Sequence, residues 1–409
     1  MKIIIQKFGG SSLANTERIQ NVARRIVSTA KNGNNVVVVL SAQGDTTDLL
    51  LEKARKLNPT PSKRELDMLL VTGEQQSVAL MAMAIEAMGH TAVSLNAVQV
   101  GIHATSHHGN AHIETIKTQR IQTELGLGKI VLVAGFQGVN AAGDITTLGR
   151  GASDTTAVAL AAVLGAEACE IYTDVDGIYT VDPRIVQNAK RLPAIGYEDM
   201  LEMAFAGAQV LHGRAVEMAK RYKVKIALCA STSPYGSVGT WIKEDETVEK
   251  LTVSGIAIDR NVARITLTGL ADQPGIAFTT FDILAKEEIS VDIILRSVAQ
   301  NGKCDLSFTV HREDLVMARN TLATHKDQIG YDTIQTDENL AKLSVVGAGM
   351  ATNPGVASTM FEALYEAGIN IHMISTSEIK IAVLVEESQV TAGAKAVHDK
   401  FDDVLGENL

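Results

Sequence analysis

The feature that most constrains this chain is the alternation, through its first half, of short β-branched runs with helically spaced apolar residues. Lys2–Gln6, Val36–Leu40, Thr91–Leu95, Ile130–Ala134 and Glu170–Thr173 read as buried strands, being short, continuous and apolar. Between them, Thr16–Lys31, Lys63–Met88 and Thr155–Leu164 repeat apolar residues at helical spacing. Strands and helices in alternation predict an α/β fold, a mostly parallel sheet sandwiched by helices. Ligands of such sheets bind beyond the carboxyl ends of the strands, so the loops that follow the strands are where chemistry is expected.

The alternation stops at Ser231–Gly239, a Ser/Pro/Gly stretch next to the charged Lys243–Lys250, which reads as a domain boundary. Beyond it the chain repeats itself. Ala263–Gly269 leads to Pro274-Gly275 and then Phe281, Leu284, Ile289 and Val291. Ala341–Gly347 leads to Pro354-Gly355 and then Phe361, Leu364, Ile369 and Ile371. Each copy reads strand, Pro-Gly turn, amphipathic helix, strand, the first half of a βαββαβ unit. The 409 residues thus divide into an α/β domain over 1–245 and two small ferredoxin-like units over 250–338 and 339–409, whose boundary strands can interleave.

A net charge of −10 argues against nucleic acid or an anionic membrane as the main partner. By our reading no apolar run reaches the roughly 18 residues of a membrane span. The three cysteines, Cys169, Cys229 and Cys304, have neither metal nor redox spacing and suit a reducing cytoplasm.

Three loops concentrate the chemistry. Ile3–Ser12 is a strand running into Gly9-Gly10 and two hydroxyls, with Lys7 beside them; glycines admit an anion close to backbone N–H groups, and Lys7 adds a full charge. An ordinary strand–turn–helix explains these ten residues equally well. Thr146–Thr156 places Arg150 between Gly149 and Gly151, ahead of Ser153 and Asp154. Arginine grips a carboxylate through two parallel hydrogen bonds. An N-cap role covers Ser153 or Asp154 but not the arginine. Tyr172–Arg184 gathers Asp174, Asp176 and Asp182 with Tyr179 and Arg184; acidic residues so placed hold Mg²⁺ directly or through water, or simply form turns.

Lys-Phe-Gly-Gly-Ser-Ser, Gly-Arg-Gly-x-Ser-Asp and Tyr-Thr-Asp-Val-Asp-Gly, in this order, resemble the signature of the amino acid kinase family, and within it the aspartate kinases. Ser41-Ala, Thr46-Thr47-Asp48, Val71-Thr-Gly73-Glu74, Ala134–Gly138 and Ile374–Glu378 match further, and the repeated units look like ACT domains. The resemblance implies ATP and Mg²⁺ as cofactors, L-aspartate as substrate, and lysine and/or threonine as effectors. It makes Lys7 and Asp154 catalytic, with no metal ligated directly by protein. Lys7, Gly9, Gly10, Ser11, Thr173, Asp174, Tyr179, Asp182 and Arg184 fall on nucleotide positions. Ser41, Thr47, Glu74, Arg150, Gly151 and Ser153 fall on substrate positions. Asp272, Gly275, Ile276, Ala277, Val291, Asp292, Arg296, Val356, Asn370, Ile371, Ser377 and Glu378 fall on effector positions. The product implied is 4-phospho-L-aspartate, and the ACT-like units imply a homodimer or larger homo-oligomer.

The chemistry agrees with that resemblance. Aspartate's side-chain carboxylate is already ionised at neutral pH, so no general base is required, and catalysis reduces to bringing two anions together. The sequence departs from the family pattern at Ala152, Gln209, Gly213, Cys229-Ala230-Ser231 and Arg296, where glycine, lysine, proline, an Arg-Ser-Ser run and glutamine are usual. The rival readings are a kinase acting on glutamate and an amino-acid sensor without turnover. His103, His107, His108 and His112 invite a metal reading, but they lie in a Ser/Gly/Asn stretch with no paired carboxylate. Gly347–Thr352 lacks the third glycine of a dinucleotide fingerprint.

Overall fold

The computed structural model describes residues 2–149, 151–208, 210–244, 253–348, 350, 353, 355–402 and 405. The central sheet has eight strands, in the order Ala194–Gly196, Thr240–Lys243, Ile226–Ala230, Ala168–Thr173, Ile3–Phe8, Asn35–Leu40, Ile130–Ala134 and Ala92–Leu95. Neighbours run parallel except Ile226–Ala230 and Thr240–Lys243. This is the predicted mostly parallel sheet. Register explains where a ligand can sit. Phe8 aligns with Leu40 and with Tyr172, Leu40 aligns with Ala134, and Thr173 with Ala230. The loops after these adjacent strands therefore leave the sheet side by side.

Strand periodicity sorts the core. Ile5, Val37, Val39 and Val133 face the buried helix Ala152–Leu164 on one side. Phe8, Val38, Leu40 and Leu132 face Val22 and Ile26 of Thr16–Lys31 and Val78, Met81 and Ile85 on the other. The single long helix expected over Lys63–Met88 is instead two, Lys63–Leu70 and Thr72–Glu86. At the join Thr72 Oγ1 donates to Leu69 O at 2.7 Å, and a Thr-Gly pair is a weak helix former. Together the two span Lys63–Glu86, which by length and composition alone passes for a membrane-crossing helix. Here Val78, Met81 and Ile85 are buried in the domain core. A second, four-stranded sheet (Ile113–Ile116, Ile102–Ala104, Gln137–Val139, Ile145–Thr147) delivers the chain to Leu148 and Gly149.

The C-terminal repeat forms two four-stranded sheets. One holds Val291–Arg296, Lys303–Val310, Ala263–Ala271 and Thr333–Asp337; the other holds Gly255–Asp259, Leu340–Val346, Lys380–Glu386 and Met373–Thr376. The strand that first leaves the α/β domain thus pairs with the second repeat, and the first repeat is nested inside it. Thr180 joins the two regions: its carbonyl accepts from Ile256 N at 2.7 Å, and its hydroxyl lies 3.1 Å from His398 Nε2. Val181 and Val186 are buried in the second repeat's core.

Candidate active site

Lys7 is the last residue but one of the central strand, and its ammonium meets Asp154 Oδ1 at 2.6 Å. The two side chains are 12% and 10% exposed, so the pair is sheltered from water yet open enough to meet a ligand. Asp154 lies in the first turn of Ala152–Leu164, a helix whose N-terminus has no side-chain cap and brings its positive end beside Lys7. A side chain is excluded at Gly10, because a Cβ there would lie 2.7 Å from Ala42 O. That contact packs the loop after the central strand against the loop after Asn35–Leu40, joined by Gly44 N donating to Gly10 O at 3.0 Å. Ser11 is exposed on this loop. Ser41 follows the neighbouring strand, donating its N–H to Phe8 O at 3.2 Å, and Thr47 lies in the first turn of Thr46–Leu57.

Glu74 reaches the same loop from the helix Thr72–Glu86. Its Oε1 accepts from Ala42 N at 3.1 Å, while Oε2 is buried without a partner among the described residues. Burial pushes its carboxyl up to about 7 from an ordinary 4.5. Glycine at 73 permits this approach, since a Cβ there would lie 2.8 Å from Ala42 Cβ. Ser153 is buried, and Gly151 precedes it as the exposed N-cap. Arg150 and Gln209 lie outside the described residues.

Lys7, Gly9, Gly10, Glu74, Ser153 and Asp154 thus share the carboxyl-terminal end of three neighbouring strands. The third loop is bonded mostly within itself. Thr173 Oγ1 donates to Asp174 Oδ1 at 3.0 Å, and Tyr179 OH to Asp176 at 3.0 Å. Arg184 grips Asp182 as a fork, Nη2 to Oδ2 at 2.7 Å, and this hydrogen bond holds the Asp182 carboxyl below its usual range. Tyr172 stacks on Phe8, ring centroids 4.5 Å apart. Arg25 lies 4.9 Å from the Tyr172 ring and 4.8 Å from that of Tyr235, donating to the carbonyls of Ser231 and Ser233.

Sequence reasoning missed Arg25, Asp67, His212 and Arg214. His212 packs against Gly151, its N–H 3.5 Å from Asp154 Oδ2, and burial lowers its ring below the ordinary value. The basic residues of Leu211-His-Gly-Arg are the available signal. Nothing local marks Asp67. Among the four loop histidines, His108 is bound to Asp67, and no group of three or more His, Cys, Asp or Glu able to hold a metal occurs among the described residues.

In the repeats, Asp272, Gly275, Ile276, Ala277 and Arg296 line a cavity of about 310 Å³ floored by Leu270 and Leu306. Asp272 and Arg296 are ion-paired to each other across it. Val291 and Asp292 open the next strand, and Asp292 meets the buried Lys342 of the second repeat at 2.6 Å. Val356 begins the second helix, buried, with Asn370 and Ile371 after its end. Ser377 N donates to Lys380 O at 2.8 Å, and Glu378 is exposed in that turn.

The amino acid kinase family model matches residues 2–229, more than half the chain, and an ACT domain model matches residues 343–401. The aspartokinase of Mycolicibacterium smegmatis is 49% identical over 98% of this chain and 96% of its own length. Among solved structures, E. coli aspartokinase III in complex with aspartate and ADP (R-state) superposes with a TM-score of 0.84 at 26% identity, covering 98% of this chain and 100% of that one. The same enzyme with lysine and aspartate (T-state) gives 0.75 at 27% identity, over 98% and 99%. With these matches spanning both the kinase fold and its repeated C-terminal units, the chain is a kinase that belongs to the amino acid kinase family, among the aspartokinases.

Proposed function

We propose that this kinase transfers the γ-phosphoryl group of ATP to the side-chain carboxylate of L-aspartate, giving 4-phospho-L-aspartate. The observation that carries the reading is Lys7 bound to Asp154 at 2.6 Å beside the buried, half-partnered Glu74. Lys7 is placed to neutralise charge as two anions approach, and Gly9 keeps space open next to it: a Cβ there would lie 3.6 Å from Lys7 Nζ. Asp154 holds the lysine ammonium in place. The orphan Oε2 of Glu74 is a costly group that a substrate ammonium would satisfy. Arg150, from sequence, suits the substrate α-carboxylate, with Ser41, Thr47, Gly151 and Ser153 around it. Thr173, Asp174, Tyr179, Asp182 and Arg184 extend from the next strand toward a nucleotide, and Ser11 completes the phosphate loop.

Mg²⁺ would come as a companion of the phosphates, with Asp154, Asp174 and Asp182 reaching it through water rather than as direct ligands. When bound it would supply charge neutralisation to the transferring phosphate. The E. coli relative's complex with aspartate and ADP supports both substrates.

The repeats are proposed to bind lysine and/or threonine and to inhibit, the reaction being the first step toward lysine, threonine and methionine. The cavity at Asp272–Ala277 and the lysine-bound T-state of the relative support this. Exposed Ile294 and Leu295 on one edge strand and Ile374 on another support a homodimer through these units. Three buried free thiols suit a reducing cytoplasm. A coupled assay of ADP release decides the main point: turnover dependent on aspartate and absent with glutamate is expected, and aspartate-independent or glutamate-dependent turnover refutes it.

A further inference from the structure

Asp67 is 1% exposed, more buried than Glu74 or Asp154, and three donors from distant parts of the chain converge on its carboxylate. Thr147 Oγ1 donates to Oδ1 at 2.5 Å, Gly109 N to Oδ2 at 3.1 Å, and His108 Nδ1 lies 2.7 Å from Oδ2. A buried carboxylate held by several donors is a strong and geometrically demanding junction. Arg214 fastens the same two loops from another side. It donates to Leu148 O at 2.6 Å, to Asn110 Oδ1 at 3.2 Å and to Ala111 O at 3.0 Å. Ala111 N donates in turn to Thr147 O at 2.9 Å.

What this junction joins gives it a function. Asp67 is on Lys63–Leu70, which continues through Val71 into the helix that carries Glu74. Thr147 ends the strand Ile145–Thr147, and the chain then runs through Leu148 and Gly149 toward Gly151, Ser153 and Asp154. We infer that Asp67 is a positioning residue, fixing the spacing between Glu74 and the Gly151–Asp154 turn and thereby setting affinity for aspartate without touching it. This rests on the substrate site proposed above. Asparagine at 67 keeps the shape but removes the charge and turns an NH₂ toward one of the three partners, so the charge-assisted bonds give way to weaker neutral ones and the junction loosens.

The test is steady-state kinetics on the full chain, with aspartate and ATP varied in turn, alongside urea unfolding. For Asp67→Asn the KM for aspartate is expected to rise at least about tenfold, with that for ATP within about twofold, as loss of a charged hydrogen bond implies. A purely structural role would lower stability and the active fraction while leaving KM for aspartate unmoved. Should that variant fail to fold, Thr147→Val removes one donor alone and is expected to raise KM for aspartate about three- to tenfold, while Thr147→Ser, which keeps the hydroxyl, restores it. An aspartate KM within twofold of the parent in Thr147→Val, or equal changes in both KM values, overturns the inference. A parent enzyme without aspartate-dependent turnover instead sinks the substrate reading, and this inference with it.

Discussion

Replacing Glu74 by glutamine separates what this residue does for folding from what it is proposed to do for substrate. Burial holds its carboxyl at about 7 against an ordinary 4.5. At about 1.4 kcal/mol per pH unit, ionising it inside the folded chain costs about 3 kcal/mol. The sign follows from proton binding. Between 4.5 and about 7 the folded state holds a proton that the unfolded state has released, so stability falls as pH rises through this window. The penalty is absent below 4.5 and complete above about 7. Glutamine mimics the protonated acid: its carbonyl still accepts from Ala42 N, and it never ionises. The variant should therefore match the parent near pH 4 and exceed it by up to about 3 kcal/mol at pH 8. Urea unfolding followed by fluorescence of the single tryptophan reads this directly, because Trp241 packs against the same core as Val78 and Met81. Saturating aspartate should stabilise the parent at pH 8 and the variant far less, since only an ionised Glu74 pairs with an ammonium. A variant no more stable than the parent at pH 8, or a difference that does not change with pH, would refute the argument from burial.

Further expectations address the remaining groups. The parent's kcat/KM for aspartate should fall about tenfold per pH unit below about 7, a limb that pH–rate profiles would show and that Glu74→Gln should lack. Lys7→Ala should retain its fold and lose kcat by about two to three orders of magnitude, as removal of a group stabilising developing charge typically costs about 3–4 kcal/mol; near-normal single-turnover rates would sink that role. Arg150→Ala should raise the aspartate KM about ten- to a hundredfold with the ATP KM within a few-fold, read from initial rates. Asp292→Ala or Glu378→Ala should keep uninhibited turnover and weaken inhibition by lysine or threonine at least about fivefold, measured as the shift of half-maximal inhibition. Sedimentation of a monomer at micromolar concentration, with and without these amino acids, would contradict pairing through the exposed edge strands.

What could be read from sequence was what is local. The runs ending at Gln6, Leu40, Ala134 and Thr173 announce buried strands by composition, and the glycines and charges that follow them mark the loops at their carboxyl ends. The break at Val71 was hidden, because the apolar spacing continues across it and only the Thr72–Gly73 pair hints at a join. Asp67 and Thr147 stand eighty positions apart with no shared periodicity, so their bond exists only after the small sheet has folded. The orphan oxygen of Glu74 is likewise a property of packing, since nothing in Val71-Thr-Gly-Glu says which lone pairs go unmet. Gly255–Asp259 carried no sign of which repeat's sheet it would complete, and strand pairing at such separation is what local patterns do not encode.

The nested first repeat has a consequence for how these units can be taken apart. In the second sheet Gly255–Asp259 runs antiparallel to Leu340–Val346, with Asp259 opposite Lys342. The two strand ends that receive the first repeat are thus neighbours, placed as the arms of a hairpin. Geometrically the whole of Ala263–Asp337 stands where a short turn would suffice. Truncation from the C-terminus would strip Gly255–Asp259 of its partner before the first repeat was reached. Excision of the first repeat from the middle, with a tight turn in its place, would leave the second sheet and the hydrogen bond from Ile256 to Thr180 intact.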